Sequence, residues 1–153
     1  MRKKILFLLF FSILITNCDY SPIYIKDKNF KYNVKIIEVL GDNEINKFII
    51  KDLEQQSNKD SKNIFDIKIN TSYSKRVLAR NTKGTSTDIE LKANATIIIK
   101  YNDAEQTVSI EEKLNYKKLS NNYEQSNYEK TVKKNIASSI ARKLSLRLAI
   151  LND

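Results

Sequence analysis

Two long stretches of the chain alternate apolar and polar residues with a period of two. The apolar positions are Phe65, Ile67, Ile69, Thr71 and Tyr73 in the first stretch, and Ile89, Leu91, Ala93, Ala95, Ile97, Ile99 and Tyr101 in the second. This period predicts β-strands with one apolar face and one polar face. Gly84, in the segment from Asn81 to Thr85, predicts a hairpin turn between them. A third strand is predicted after Asn102-Asp103, where Glu112 alone interrupts the alternation of Val108, Ile110, Leu114 and Tyr116.

Two further segments have the period of an α-helix. The first follows a β-branched strand, Val34 to Leu40, and a stop at Gly41. Asp42 is its predicted N-cap, and its apolar face consists of Ile45, Phe48, Ile49 and Leu53. The second is predicted to begin at a capping box, with Ser126 at the N-cap and Glu129 reaching back, and to end near Leu151. Its apolar stripe consists of Val132, Ile136, Ile140, Leu144, Leu148 and Leu151. Such a stripe indicates that the helix packs on a sheet. The alternative is a basic amphipathic helix that binds a membrane surface or a partner of the calmodulin kind.

The order of these elements, β-α-β-β-β-α, predicts an α+β fold. We expect a two-layer sandwich in which two amphipathic helices cover one face of a four-stranded, mostly antiparallel sheet. The other sheet face would be polar and uncovered, either as an ordinary solvated face or as a surface suited to a hydrated cavity of a partner.

The N-terminus has the pattern of a bacterial lipoprotein signal. Basic residues at positions 2–4 precede an apolar run from Ile5 to Ile15, which is too short to cross a membrane, and Cys18 follows shortly after. This predicts a signal peptide over residues 1–17, a lipidated tether over 18–32 and one domain over 33–153, with an acyl-modified cysteine at Cys18. Asn17 stands where a small residue is usual, so a signal peptide or short anchor with an incidental cysteine is the alternative.

The composition limits which partners and which kinds of chemistry we expect for the chain. The net charge of +9 falls to +6 once Arg2, Lys3 and Lys4 are removed, which favours anionic partners such as a membrane surface or a phosphorylated glycolipid; an AT-rich genome would also produce such a balance. We expect no nucleic-acid partner for an exported chain. There is no histidine, and Cys18 is the only cysteine, so we expect no metal, no cofactor besides the covalent lipid and no enzymatic activity, although a carboxylate or Ser-Lys site is still open.

The segment that begins at Cys18 resembles a known family. Cys18-Asp19-Tyr20-Ser21-Pro22-Ile23-Tyr24 is similar to the mature N-terminus of the LptE family, the lipopolysaccharide-assembly lipoproteins formerly called rare lipoprotein B. Members typically have cysteine, glycine, an aromatic, any residue, proline, an aliphatic and tyrosine, and here Asp19 replaces the glycine. The order of the elements is also similar over nearly all of the mature chain, and so is the size of the protein.

The resemblance implies an outer-membrane lipoprotein, anchored on the periplasmic side, that plugs and helps assemble the LptD β-barrel and binds lipopolysaccharide. The phosphates of lipid A would then need cationic partners. Our candidates for that site flank the predicted hairpin with no acid between them: Lys75, Arg76, Arg80 and Lys83. A solvated hairpin without a ligand is the alternative for these residues. In enteric bacteria an aspartate at the position of Asp19 retains lipoproteins in the inner membrane, so an auxiliary lipoprotein of an inner-membrane ABC-type lipid transporter is the alternative function.

Overall fold

The computed structural model describes residues 31–152, which form one four-stranded sheet and two helices. The elements are β1 (Asn33–Gly41), α1 (Asn43–Gln55), β2 (Ile64–Arg80), β3 (Ser86–Tyr101), β4 (Ala104–Lys117) and α2 (Asn122–Asn152). The strand order is β1-β2-β3-β4, with β1 parallel to β2 and the other pairs antiparallel. The predicted α+β architecture is therefore confirmed. The predicted signal peptide, Cys18 and the tether up to residue 30 lie outside the described residues.

The two predicted period-two strands supply the centre of the core. Phe65, Ile67 and Ile69 of β2 are buried, and so are all alternate residues of β3 from Ile89 to Ile99. The helices cover this face, and their buried side chains include Ile45, Ile49 and Leu53 from α1 and Val132, Ile136, Ile140, Leu144 and Leu148 from α2. The apolar stripe of α2 is thus a packing surface toward α1 and the sheet.

Glu112, the one interruption in the alternation of β4, lies on this helix-covered face. Its carboxylate accepts a hydrogen bond from Ser139 Oγ at 2.8 Å and pairs with Lys143 Nζ at 2.6 Å, both from α2. Burial alone would raise the pKa of the Glu112 carboxyl, but the bonds from Lys143 and Ser139 outweigh it and hold the pKa below its usual value. The charged residue is therefore accommodated as an ion pair between the two layers.

Of the two predicted helix N-caps, one is confirmed and the other is wrong. Asp42 caps α1 as predicted, since its Oδ1 accepts from the backbone N–H groups of Glu44 and Ile45 at 3.1 and 2.9 Å. The predicted N-cap at Ser126 is wrong, because α2 begins more than one turn earlier, at Asn122. Asn121 caps it instead, its Oδ1 accepting from Tyr123 N at 2.8 Å.

The first described residues are held by the loop between α1 and β2. Asn58 N donates to Tyr32 O at 2.9 Å, Ser61 Oγ to Lys31 O at 2.6 Å, and Asn33 N to Asn63 O at 2.7 Å. The Tyr32 side chain, which the sequence placed in the tether, is buried and packs edge-to-face on Phe65. We call residues 31–34 with loop residues 57–63 the N-terminal clamp.

Candidate functional site

The sheet face opposite the helices carries polar side chains from β2, β3 and β4, and no element among residues 31–152 covers it. We call it the open face. Three cross-strand ion pairs lie on it: Lys68–Glu38 at 3.0 Å, Arg76–Glu90 at 3.0 Å and Lys92–Glu111 at 2.8 Å. Between these pairs lie short polar side chains, namely Asn70, Ser72, Ser74, Asn94, Thr96, Thr107 and Ser109. The open face is thus polar, as predicted, with alternating charge around a neutral centre.

One corner of the open face, beside β1, is apolar. The register of β1 against β2 shifts between Ile36 and Glu38, so Ile37 occupies a bulge and is 47% exposed. Leu40 is 53% exposed and lines a shallow groove with Ile98 and Lys68. Sequence reasoning missed this corner, because a β-branched run gives no sign of where a bulge will interrupt it.

The four predicted lipopolysaccharide-binding residues do not form one cluster. Lys75 and Arg76 are neighbours in β2, so their side chains point to opposite faces of the sheet. Lys75 pairs with Glu129 of α2 on the helix side, and Arg76 pairs with Glu90 on the open face. No acid separates the four candidates in the sequence, but the fold places an acid from another element beside each of these two.

Arg80 and Lys83 lie at the exposed turn between β2 and β3. The Arg80 guanidinium donates to Gly84 O at 2.9 Å, and the Asn81 side chain organises the turn by accepting from the N–H groups of Lys83 and Thr85. Val77 and Leu78, on the strand leading into the turn, are 37% and 43% exposed. Cations and apolar side chains are therefore exposed together at this end of the sheet, which we call the hairpin tip and define as residues 76–86.

A polar network joins the helix-covered face of the sheet to the start of α2. Glu129 Oε1 accepts from Tyr116 OH at 2.6 Å, from Gln125 Nε2 at 2.6 Å and from Lys75. Burial opposes the charge on the Glu129 carboxyl, but these hydrogen bonds outweigh it and lower its pKa. Burial and the neighbouring Glu129 carboxylate raise the pKa of Tyr116.

A second network joins the two helices. Lys133 of α2 pairs with Glu44 at 2.9 Å and with Asp42 at 3.4 Å, and its Nζ lies 4.3 Å from the centre of the Tyr73 ring. Burial, followed by the carboxylates of Glu129, Asp42 and Glu44, raises the pKa of Tyr73 to about 12. At neutral pH the Glu129 carboxyl is therefore charged and the Tyr116 and Tyr73 hydroxyls are neutral, and the two networks link the helices to the sheet.

Neither metal ligands nor membrane spans stand out in the described part of the chain. Residues 31–152 contain no group of three or more His, Cys, Asp or Glu side chains arranged to hold a metal ion. Within the same range, no helix combines the length and the apolar character needed to cross a membrane.

Comparison with known proteins places the fold among bacterial lipoproteins. Rare lipoprotein B from Shewanella oneidensis superposes with a TM-score of 0.58 and 13% identity, over 76% of this chain and 96% of that one. A putative lipoprotein from Caulobacter crescentus gives 0.56 and 14%, over 80% and 90%, and lipoprotein B from Nitrosomonas europaea gives 0.52 and 14%, over 80% and 87%. No family model matches the sequence, and no curated protein matches it either. The predicted resemblance is therefore confirmed as a shared fold.

Proposed function

We propose that this chain is a lipid-anchored, non-enzymatic protein of lipopolysaccharide assembly of the LptE kind. In this role it would be anchored through Cys18 to the periplasmic side of the outer membrane. It would plug and help assemble an LptD-type β-barrel, and it would bind lipopolysaccharide as the glycolipid passes. The observation that carries the proposal is the superposition with rare lipoprotein B, which covers almost the whole of that protein.

The open face supports a role inside a hydrated partner. Its ion pairs link neighbouring strands of the same sheet, and its central Ser, Asn and Thr side chains can both donate and accept hydrogen bonds. In a water-filled lumen, polar groups of the partner could replace water molecules on this face, and no unpaired charge would be buried.

The hairpin tip supports contact with an amphipathic anion. Arg80 and Lys83 are exposed at the turn, and Arg76 is 70% exposed although it pairs with Glu90. Val77 and Leu78 lie beside these cations and expose apolar surface. Phosphate groups and acyl chains of one glycolipid could therefore be contacted by a single end of the sheet.

Co-purification tests the assembly role. The chain, expressed in its native host with a C-terminal affinity tag and extracted in mild detergent, should retain a large β-barrel that migrates as one complex. A chain that runs alone under these conditions would contradict the barrel role. Reversing charge on the open face, for example Lys68→Glu with Lys92→Glu, should weaken capture of the barrel, whereas Lys47→Glu with Lys51→Glu on the exposed side of α1 should not.

Charge reversal tests the glycolipid site separately. Lys75→Glu, Arg76→Glu, Arg80→Glu and Lys83→Glu together should weaken binding of purified lipopolysaccharide, while far-UV circular dichroism remains unchanged. Lys75 is already paired with Glu129 of α2, so we expect it to contribute little to binding. The variant Arg80→Glu/Lys83→Glu at the hairpin tip should therefore cause most of the loss of affinity for lipopolysaccharide. That loss should be roughly tenfold or more if each cation contributes about 1 kcal/mol. Unchanged binding would exclude the hairpin tip as the site but would leave the barrel role standing.

The alternative is an auxiliary lipoprotein of an inner-membrane ABC-type lipid transporter, and Asp19 is the residue that favours it. Separation of inner and outer membranes by density decides between the two. Recovery in the inner-membrane fraction, restored to the outer membrane by Asp19→Gly, would favour the transporter role.

A further inference from the structure

The outer side of α2 changes character along its length. In its first half the exposed residues are two tyrosines, Tyr123 and Tyr128, and polar residues that include Lys130, Thr131, Lys134 and Asn135. In its second half Leu146 and Ile150 are 62% and 66% exposed, one turn apart on the same side. They do not belong to the core, which α2 reaches through Leu144 and Leu148 on its opposite side.

The same outer surface is basic. Arg142, Lys143 and Arg147 surround the two apolar residues and are exposed. Lys143 pairs with Glu112, whereas neither arginine forms an ion pair within residues 31–152. The sequence from residue 130 to residue 152 contains no Asp or Glu at all, so no acid of the helix itself offsets these charges. We call Arg142, Lys143, Leu146, Arg147 and Ile150 the basic-apolar surface.

The N-terminal clamp lies against this part of α2. The Tyr32 hydroxyl approaches Ser145 O at 3.5 Å, and Asn63 Nδ2 donates to Asn152 Oδ1 at 2.7 Å. The chain therefore joins the domain beside the second half of the helix. The thirteen residues from Cys18 to Phe30 span at most about 45 Å when extended. An anchor at Cys18 would hold this end of the domain within reach of the bilayer.

We propose that the basic-apolar surface docks on a phospholipid bilayer with anionic headgroups. Leu146 and Ile150 would enter the boundary between headgroups and acyl chains, and Arg142 and Arg147 would meet lipid phosphates. A bilayer fits better than a protein partner because the surface joins a small apolar centre to two exposed arginines, and it lies beside the end of the domain that the proposed anchor at Cys18 would hold near the membrane. The inference rests on the anchor at Cys18 from the proposed function but goes beyond the rest of it, since it requires neither a barrel nor lipopolysaccharide.

The composition of the chain allows a clean test. There is no tryptophan and only one cysteine. The mature chain, beginning at Cys18, is coupled through that thiol to a maleimide lipid in vesicles of phosphatidylethanolamine and phosphatidylglycerol. Leu146→Trp provides a single fluorescent reporter within the surface. Tyr123→Trp is the matched control, because Tyr123 is 75% exposed near the other end of the same helix.

We expect tryptophan emission at position 146 to shift to the blue and to be quenched by lipids that carry a doxyl group, whereas emission at position 123 is not. Adding Arg142→Gln and Arg147→Gln to the Leu146→Trp chain should reduce the docking constant roughly thirtyfold, since each arginine near anionic lipid contributes about a factor of five. Lys130→Gln with Lys134→Gln, on the first half of the helix, should leave it unchanged.

Four outcomes would overturn the proposal. Equal quenching at positions 123 and 146 would show that the surface has no preference for lipid. An unchanged docking constant in the arginine variant, or equal docking on phosphatidylcholine vesicles, would exclude anionic headgroups. A blue shift that grows with the density of coupled protein would identify a second copy as the occupant. Since no barrel is present, none of these results bears on the assembly role.

Discussion

Gly41 and Gly84 are the only glycines of the chain, and both have positive φ, at +94° and +79°. Their surroundings differ completely. A Cβ at Gly41 would lie 1.7 Å from the carbonyl oxygen of Thr71 and 2.9 Å from its nitrogen, whereas a Cβ at Gly84 would have no neighbour within 4 Å. Substituting each with alanine therefore separates the cost of an unfavourable backbone conformation from the cost of a collision.

For Gly84→Ala only the conformational cost applies, which is about 1–2 kcal/mol. Gly41→Ala has the same cost and must also move the end of β1 away from β2. That movement breaks the bonds from Asp42 N to Thr71 O and Oγ1, at 3.3 and 3.1 Å, and disturbs the Asp42 cap. With about 1 kcal/mol for the hydrogen bonds and about 1 kcal/mol for the cap, we expect a total loss of about 3–4 kcal/mol in the free energy of unfolding.

Urea unfolding of the mature chain with Cys18→Ser, followed by far-UV circular dichroism, measures both losses. We expect the midpoint for Gly41→Ala to fall about two to three times as far as that for Gly84→Ala, with similar m-values. Equal shifts would refute the reasoning, because they would mean that β1 adjusts to the added methyl group at no cost.

Three other substitutions test the networks between the layers. Since the folded pKa of Glu129 lies below its ordinary value of 4.5, its contribution to stability is complete above that pH and is lost as the pH falls through the lower folded value. Glu129→Gln should therefore cost about 1–3 kcal/mol in thermal unfolding at pH 7, with a difference that shrinks as the pH is lowered below 4.5, and a constant difference would contradict the assignment. Lys133→Met should lower stability by about 1–2 kcal/mol in urea and raise the pKa of Tyr73 above its value of about 12, which ultraviolet titration against a Tyr73→Phe control measures. Glu112→Leu should change stability by less than about 1 kcal/mol or increase it, because the half-exposed Lys143 can return to water; a large loss in urea unfolding would show that the ion pair is essential.

Alternation alone predicted the central strands, because Phe65 to Tyr73 and Ile89 to Tyr101 each have one continuous apolar side. It could not predict the parallel pairing of β1 with β2, which depends on how α1 crosses the sheet. The alternation itself stops at Ser74, although the predicted turn begins only at Asn81. Lys75 to Arg80 lack the apolar alternation, yet they continue the strand because β3 supplies backbone partners up to Ser86.

At the start of α2, the sequence pattern of a helix N-cap is present but does not mark where the helix begins. Ser126 and Glu129 have the spacing of a capping box, but Asn121 offers an equally good cap upstream. Glu129 is then drawn to Tyr116 of β4, a contact that no local pattern contains.

The candidate cations show the same limit at the site. Sequence spacing grouped Lys75 with Arg76, whereas the sheet separates them onto opposite faces and supplies a carboxylate to each from another element. The basic-apolar surface was missed for a different reason. Leu146 and Ile150 lie outside the predicted apolar stripe, but periodicity alone does not show that no other element covers them, and only their exposure in the structure does.

The N-terminal clamp has a mechanical consequence for a chain held by its N-terminus. If the proposed anchor at Cys18 is present, a pull toward the membrane enters the described domain at Lys31 and Tyr32, whose carbonyl groups accept hydrogen bonds from Ser61 and Asn58 of the loop. The force is therefore divided between that loop and, through the Tyr32 ring, the β2 and α2 side chains around it. β1 is an edge strand joined to the sheet on one side only, and it would otherwise be peeled off residue by residue. Under such a pull the clamp would bear the load in place of the pairing between β1 and β2, so that tension from the N-terminus would not separate this edge strand from the sheet.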